Sequence, residues 1–135
     1  MTAVEQSTAR AVVERFMDGL EGDRRRVGED EWGLSVEAGG WPLHVGVALR
    51  EGLLRAQAEV AAPGRLEPHA LLHWNRGLPL VRFSHTATGA VWVQGDLPLP
   101  AVTATRLDGF LGLLVRVAAQ AREAAGPAGE TGPSG

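Results

Sequence analysis

A chain of 135 residues with 44% hydrophobic and 21% charged residues fits one folded domain, long enough to bury roughly two thirds of its unfolded surface. Thirteen basic residues, all of them arginine, face 16 acidic ones, and the net charge of -3 argues against an electrostatic grip on a polyanion, which needs clustered cations. The absence of cysteine excludes disulfides, thiolate catalysis and cysteine-ligated zinc. No apolar run approaches the ~20 residues that span a bilayer and no basic-then-apolar leader opens the chain, so the cytoplasm is the expected compartment.

The first expected element is an amphipathic helix over 3–20. Thr2 and Glu5 have capping-box spacing, and Val13, Phe16, Met17 and Leu20 recur every three or four residues, with Glu14, Arg15 and Asp18 on the other side. Gly19, Gly22 and a charged segment through Glu31 end it. Arg24, Arg25 and Arg26 form the sole basic run, and Glu29, Asp30 and Glu31 follow at once. A solvated loop pairing its own charges is expected there, with a phosphate patch as the alternative.

From Trp32 the period changes to two. Leu34 and Val36 alternate with Ser35 and Glu37 over a strand at 32–38, and Gly39-Gly40 turns the chain. Leu43, Val45, Val47 and Leu49 then alternate with His44, Gly46, Ala48 and Arg50 over 42–50. Glu51-Gly52 leads into Leu54, Ala56, Ala58 and Val60 over 53–61, which continues an antiparallel meander with one wet face. Pro63-Gly64 stops it.

A short helix is expected at 67–76, with Pro68 in its first turn, Leu71, Leu72 and Trp74 within it, and Gly77 and Pro79 beyond it. Val81 and Phe83 mark a strand at 80–86, and Val91 and Val93 another at 90–97, across the turn Thr86 to Gly89. The last helix, 104–124, is capped by Thr103 or Thr105 and carries Leu107, Phe110, Leu111, Leu114, Val117, Ala118 and Ala121 at helical spacing. At ~33 Å it is long enough to cross the whole sheet. The domain is expected to occupy 1–125, and the Gly/Pro-rich residues 126–135 to form a flexible tail.

The candidates for chemistry are few. His69 and His73 stand at i, i+4, but zinc wants three or four ligands, and HALLH lacks the Glu that follows the first His in a zinc-protease helix. They read as surface or dimer-edge histidines. His44 and His85 are lone strand histidines with no Ser, Asp or Cys spaced to work with them, and Ser35 and Ser84 sit in no GxSxG elbow. No cofactor or metal is expected. Trp32, Trp41, Trp74 and Trp92, in a chain without tyrosine, suit either the core or a protein contact.

The run from Leu71 through Asn75, Arg82-Phe83, Val91 and Asp96-Leu97-Pro98 to Leu107, in the order α-β-β-β-α-β-β-α, resembles the YbjN family of bacterial proteins. Those proteins are similar in fold to the chaperones of type III secretion. The resemblance covers about residues 4–124. It implies an α+β fold, a twisted antiparallel sheet packed with helices, commonly a homodimer, which binds other proteins and has no known chemistry.

The expected function is therefore a non-enzymatic protein-binding module, chaperone-like or adaptor-like, acting as a homodimer on a partner protein. The alternative is direct binding of single-stranded nucleic acid, which wants a basic groove with stacking aromatics. Leu71, Leu72 and Trp74 are the dimerisation candidates, because the short helix carries more apolar area than one sheet can cover. Phe16, Leu20, Trp41 and Trp92 are the partner-binding candidates; the resemblance implies that a first helix and the adjoining sheet meet the client. Trp41 is expected to be exposed, whereas Phe16 also suits the core.

Overall fold

Two alternations set the layout: strands with one apolar side, and helices with one apolar stripe to lay on it. The computed structural model describes residues 3–126. Thr2 of the expected capping box and tail residues 127–135 lie outside them. The order is α1 (Ala3–Asp18), β1 (Arg24–Gly28), β2 (Glu31–Ala38), β3 (Trp41–Arg50), β4 (Leu53–Ala61), α2 (Pro68–Asn75), β5 (Val81–His85), β6 (Val91–Pro98), a single 3-10 turn at Leu99–Ala101, and α3 (Ala104–Ala125). All pairings are antiparallel, in the order β1-β2-β3-β4-β6-β5.

The inner face of this sheet is apolar row by row. Leu34 pairs with Val45, Val47 with Ala56, and Val93 with both Ala58 and Phe83. Val13 of α1 and Leu107, Phe110 and Leu114 of α3 close over these rows and are buried. α3 packs along β4, β2 and β6, and α1 lies beside α3. The expected cap is realised by Thr103, whose hydroxyl accepts from the Arg106 N–H at 3.2 Å.

The arginine run corrects one expectation. It is the edge strand β1, not a loop, and Arg24, Arg25 and Arg26 pair with Leu34, Gly33 and Trp32. No residue of β1 is buried, so it has no apolar alternation to read. Backbone pairing to β2 holds it, and one of its charges, Arg26, is paired across elements. Arg26 donates to Glu14 of α1 at 2.9 Å and lies over the Trp32 ring, while Arg10 of α1 grips Asp30 at 2.5 Å.

Two side chains tie helices to the sheet, one at its other edge and one at a hairpin. Asn75, at the end of α2, accepts from the Phe83 N–H at 2.7 Å and donates to the Phe83 carbonyl at 3.1 Å. Its amide stands where a neighbouring strand would, so the outer edge of β5 is satisfied there. Arg122 of α3 donates to the carbonyls of Ala38, Trp41 and Pro42 at 2.9–3.0 Å, which ties the end of α3 to the β2–β3 hairpin. Burial there pushes its guanidinium pKa below the ordinary arginine value. Gly126, at φ +84°, caps α3, its N–H donating to the Arg122 and Glu123 carbonyls.

Candidate functional site

Three surfaces remain after the core is closed. The first is α2 with the segment that follows it. Leu72 is 65% exposed, Trp74 37% and Leu80 59%. Leu71 is a correction to the dimerisation candidates: at 5% exposure it points into the core and is not available for contact. In an eight-residue helix one wall suffices to anchor it, and Leu71 takes that wall.

Leu80 is also strained. Its φ is +63°, and the Val81 N–H donates to the Pro79 carbonyl at 2.6 Å, which makes a γ-turn of the rare positive-φ kind. Gly95 of β6 lies under it. A Cβ there would sit 2.6 Å from the Leu80 carbonyl oxygen and 2.8 Å from the Phe110 ring, so the turn and the core both lean on bare backbone. An apolar side chain held out in solvent by a strained turn is a contact surface in form.

The second surface is a groove of about 580 Å³ between α1 and the 3-10 turn. Val4, Thr8, Val12 and Phe16 recur every four residues along it, and Leu99 and Val102 form its far wall. Val13 and Met17, on the neighbouring stripe of α1, are the core residues. Phe16 is thus half-buried and faces the groove. Leu20 is partly buried against the core and does not line the groove.

The third surface is the outer face of the sheet, which no helix among the described residues covers. Trp92 lies on it, half-buried, and its indole N–H is buried with no hydrogen-bond partner. Ser35 and His44 meet there: Ser35 Oγ lies 2.7 Å from His44 Nδ1. Periodicity alone links neither residue to the other. The signal existed, because a tight Gly39-Gly40 turn that pairs Ala38 with Trp41 must also pair Ser35 with His44. Trp41 is elsewhere and half-buried, its ring packed against the Arg122 guanidinium at 5.8 Å, so the expectation of an exposed Trp41 is corrected too. Trp32 is buried in the core.

His69 and His73 are exposed on α2. His69 sits 3.0 Å from Glu67, the N-cap residue, whose carboxyl is held below the ordinary glutamate value by the His69 backbone N–H and then by its ring. Among the described residues, no three His, Asp or Glu side chains come together as a metal-holding group.

With this geometry in place, the comparisons are specific. A family model, YbjN, described as "Putative bacterial sensory transduction regulator", matches residues 9–127. The chain belongs to the YbjN family. This YbjN protein is also similar to a solved structure, the Yersinia pestis type III secretion chaperone SycH in complex with a stable fragment of YscM2. That match has a TM-score of 0.61 and 21% identity, and covers 83% of this chain and 98% of that one. At that identity the likeness is one of fold, and the YbjN protein has the α+β architecture of a secretion chaperone. No curated protein matches it. Among its described residues, no helix is long and apolar enough to cross a membrane.

Proposed function

We propose that this YbjN protein is a non-enzymatic adaptor that acts as a homodimer and holds a partner protein in the α1 groove. The observation that carries the reading is the row of Val4, Val12 and Phe16, interrupted by Thr8, which lines a groove beside Leu99 and Val102. A soluble helix normally covers such a stripe or uses it. The solved chaperone of the same fold was crystallised with a protein fragment, which supports a protein as the occupant. The exposed Leu72, Trp74 and strained Leu80 support self-association through the α2 side.

Direct binding of single-stranded nucleic acid is the weaker reading. Of the three consecutive arginines, Arg26 is spent on Glu14 and on the Glu29 and Gly28 carbonyls, and Arg24 is bonded to the Gly22 carbonyl. That leaves no continuous cationic track for a phosphate backbone.

Light scattering on the full chain tests the dimer. A dimer that Leu72→Asp converts to monomer with an unchanged melting curve is the expected result, and a monomer at tens of micromolar overturns that part. Affinity capture from native extract, repeated with Val12→Glu and Phe16→Ala, tests the partner site. Loss of an anchoring aromatic should weaken capture by ~2 kcal/mol or more. Equal recovery with both variants removes the groove from the proposal, and recovery of no protein removes the adaptor role. Trp41 is a poor probe, since its loss also uncovers Arg122.

A further inference from the structure

The outer face of the sheet holds a trough of about 530 Å³, within the ordinary range for small-molecule sites. Its floor is bare backbone. Gly33 of β2 and Gly46 of β3 are direct cross-strand partners, so two adjacent strands lack side chains at the same row. A Cβ at Gly46 would meet nothing within 4 Å, and one at Gly33 would touch only Val27 Cγ1 at 4.0 Å. Trp92 of β6 forms one wall and β1 the other, four strand spacings or roughly 19 Å apart along the sheet.

Several polar groups around this flat floor have no partner among the described residues. The Arg25 guanidinium and the Gln57 amide hold no hydrogen bond or ion pair among the described residues. The Trp92 indole N–H is buried and unpartnered, and His44, engaged at Nδ1 by Ser35, has its Nε2 uncommitted. Of the lining arginines, Arg25, the cross-strand partner of Gly33, shares the outer face with the floor, beside the Asp23 carboxylate, whereas Arg24 pairs with Leu34 and faces the helices.

We infer that this trough binds a small planar anion, an aromatic carboxylate being the fitting class: the ring lies on the Gly33–Gly46 floor beside Trp92, and the carboxylate meets Arg25. The site is on the opposite face of the sheet from the α1 groove and does not depend on the adaptor reading.

The probe is 2-naphthoate, titrated into the full-length protein labelled with ¹⁵N, with naphthalene-2-carboxamide as its neutral counterpart. Saturable shifts of the Gly33 and Gly46 amides and of the Trp92 indole N–H are expected with the carboxylate and much weaker ones with the carboxamide. Arg25→Gln should weaken binding about fivefold, the scale of one exposed charge contact. Gly46→Val should abolish it without lowering the melting temperature, because the new side chain enters open space on a strand that favours it. Equal binding of the carboxamide overturns the charge assignment, and with it the proposal. So do shifts confined to the α1 groove, an absence of saturable shifts up to the solubility limit, or undiminished binding by a folded Gly46→Val variant.

Discussion

Two glycines on one sheet should respond in opposite ways to the same added methyl group. At Gly95 the new Cβ would lie 2.6 Å from the Leu80 carbonyl oxygen, 2.8 Å from Phe110 and 3.0 Å from Val81, where backbone and a fully buried ring leave no easy retreat. Overpacking of this kind costs ~1–3 kcal/mol, and the gain of ~0.5–1 kcal/mol from replacing a strand glycine offsets only part of it. At Gly46 the same methyl meets nothing within 4 Å, so only the favourable part remains. With an unfolding entropy of about 2.1 cal/mol/K per residue over a chain of this length, each kcal/mol is worth about 4 °C. Gly95→Ala should therefore melt a few degrees to roughly 10 °C below the parent, and Gly46→Ala at or up to ~4 °C above it. Calorimetry at one protein concentration measures both. Because the Leu80 γ-turn rests on Gly95, the first variant should also weaken any dimer formed through α2. Gly95→Ala melting level with Gly46→Ala would refute the close packing of turn, ring and strand.

Three further outcomes follow from single contacts. Thr103→Ala removes the hydroxyl that caps α3 and should cost ~1 kcal/mol in a urea melt, with Thr103→Ser restoring most of it. Asn75→Leu leaves the part-buried Phe83 N–H and carbonyl without partners and should cost ~2–3 kcal/mol, with faster amide exchange at Phe83 as the local sign. The Asp30 carboxyl is held below its ordinary value of 3.8, first by the hydrogen bond from Arg10, with a further bond from Gln6. Its contribution is therefore complete above the ordinary aspartate range and is lost as the pH falls through the lowered value. Asp30→Asn should be less stable than the parent at neutral pH, and the two should converge in acid below about 3.8. A gap that does not change with pH would exclude this linkage.

Much of the architecture is local in origin and so was legible residue by residue. Alternation at Leu34, Val45, Val47, Ala56 and Val93 announces strands because each has one wet and one dry side. The three-and-four spacing from Leu107 to Ala121 announces α3 for the corresponding reason, and Thr103 its start. Local patterning thus establishes the elements with an apolar face, their order, and through them the family resemblance and fold class. β1 escaped because an exposed edge strand is held by the backbone bonds of its neighbour, which leave no mark on its own side chains.

The surfaces were decided by tertiary structure alone. Leu71, Leu72 and Trp74 look equivalent in a short apolar helix, and only the position of β5 turns Leu71 in and Leu72 out. Phe16 and Met17 both belong to the stripe of α1, yet the 3-10 turn at Leu99 splits that stripe into a core wall and a groove wall. The Gly33–Gly46 floor and the Ser35–His44 pair follow from the register of one hairpin, whereas Arg25 and the Trp92 donor are brought to that floor only by β1 and β6 of the closed sheet. Periodicity reports how one segment meets solvent, whereas a site depends on register between segments, and register is settled only when the whole sheet closes on its helices.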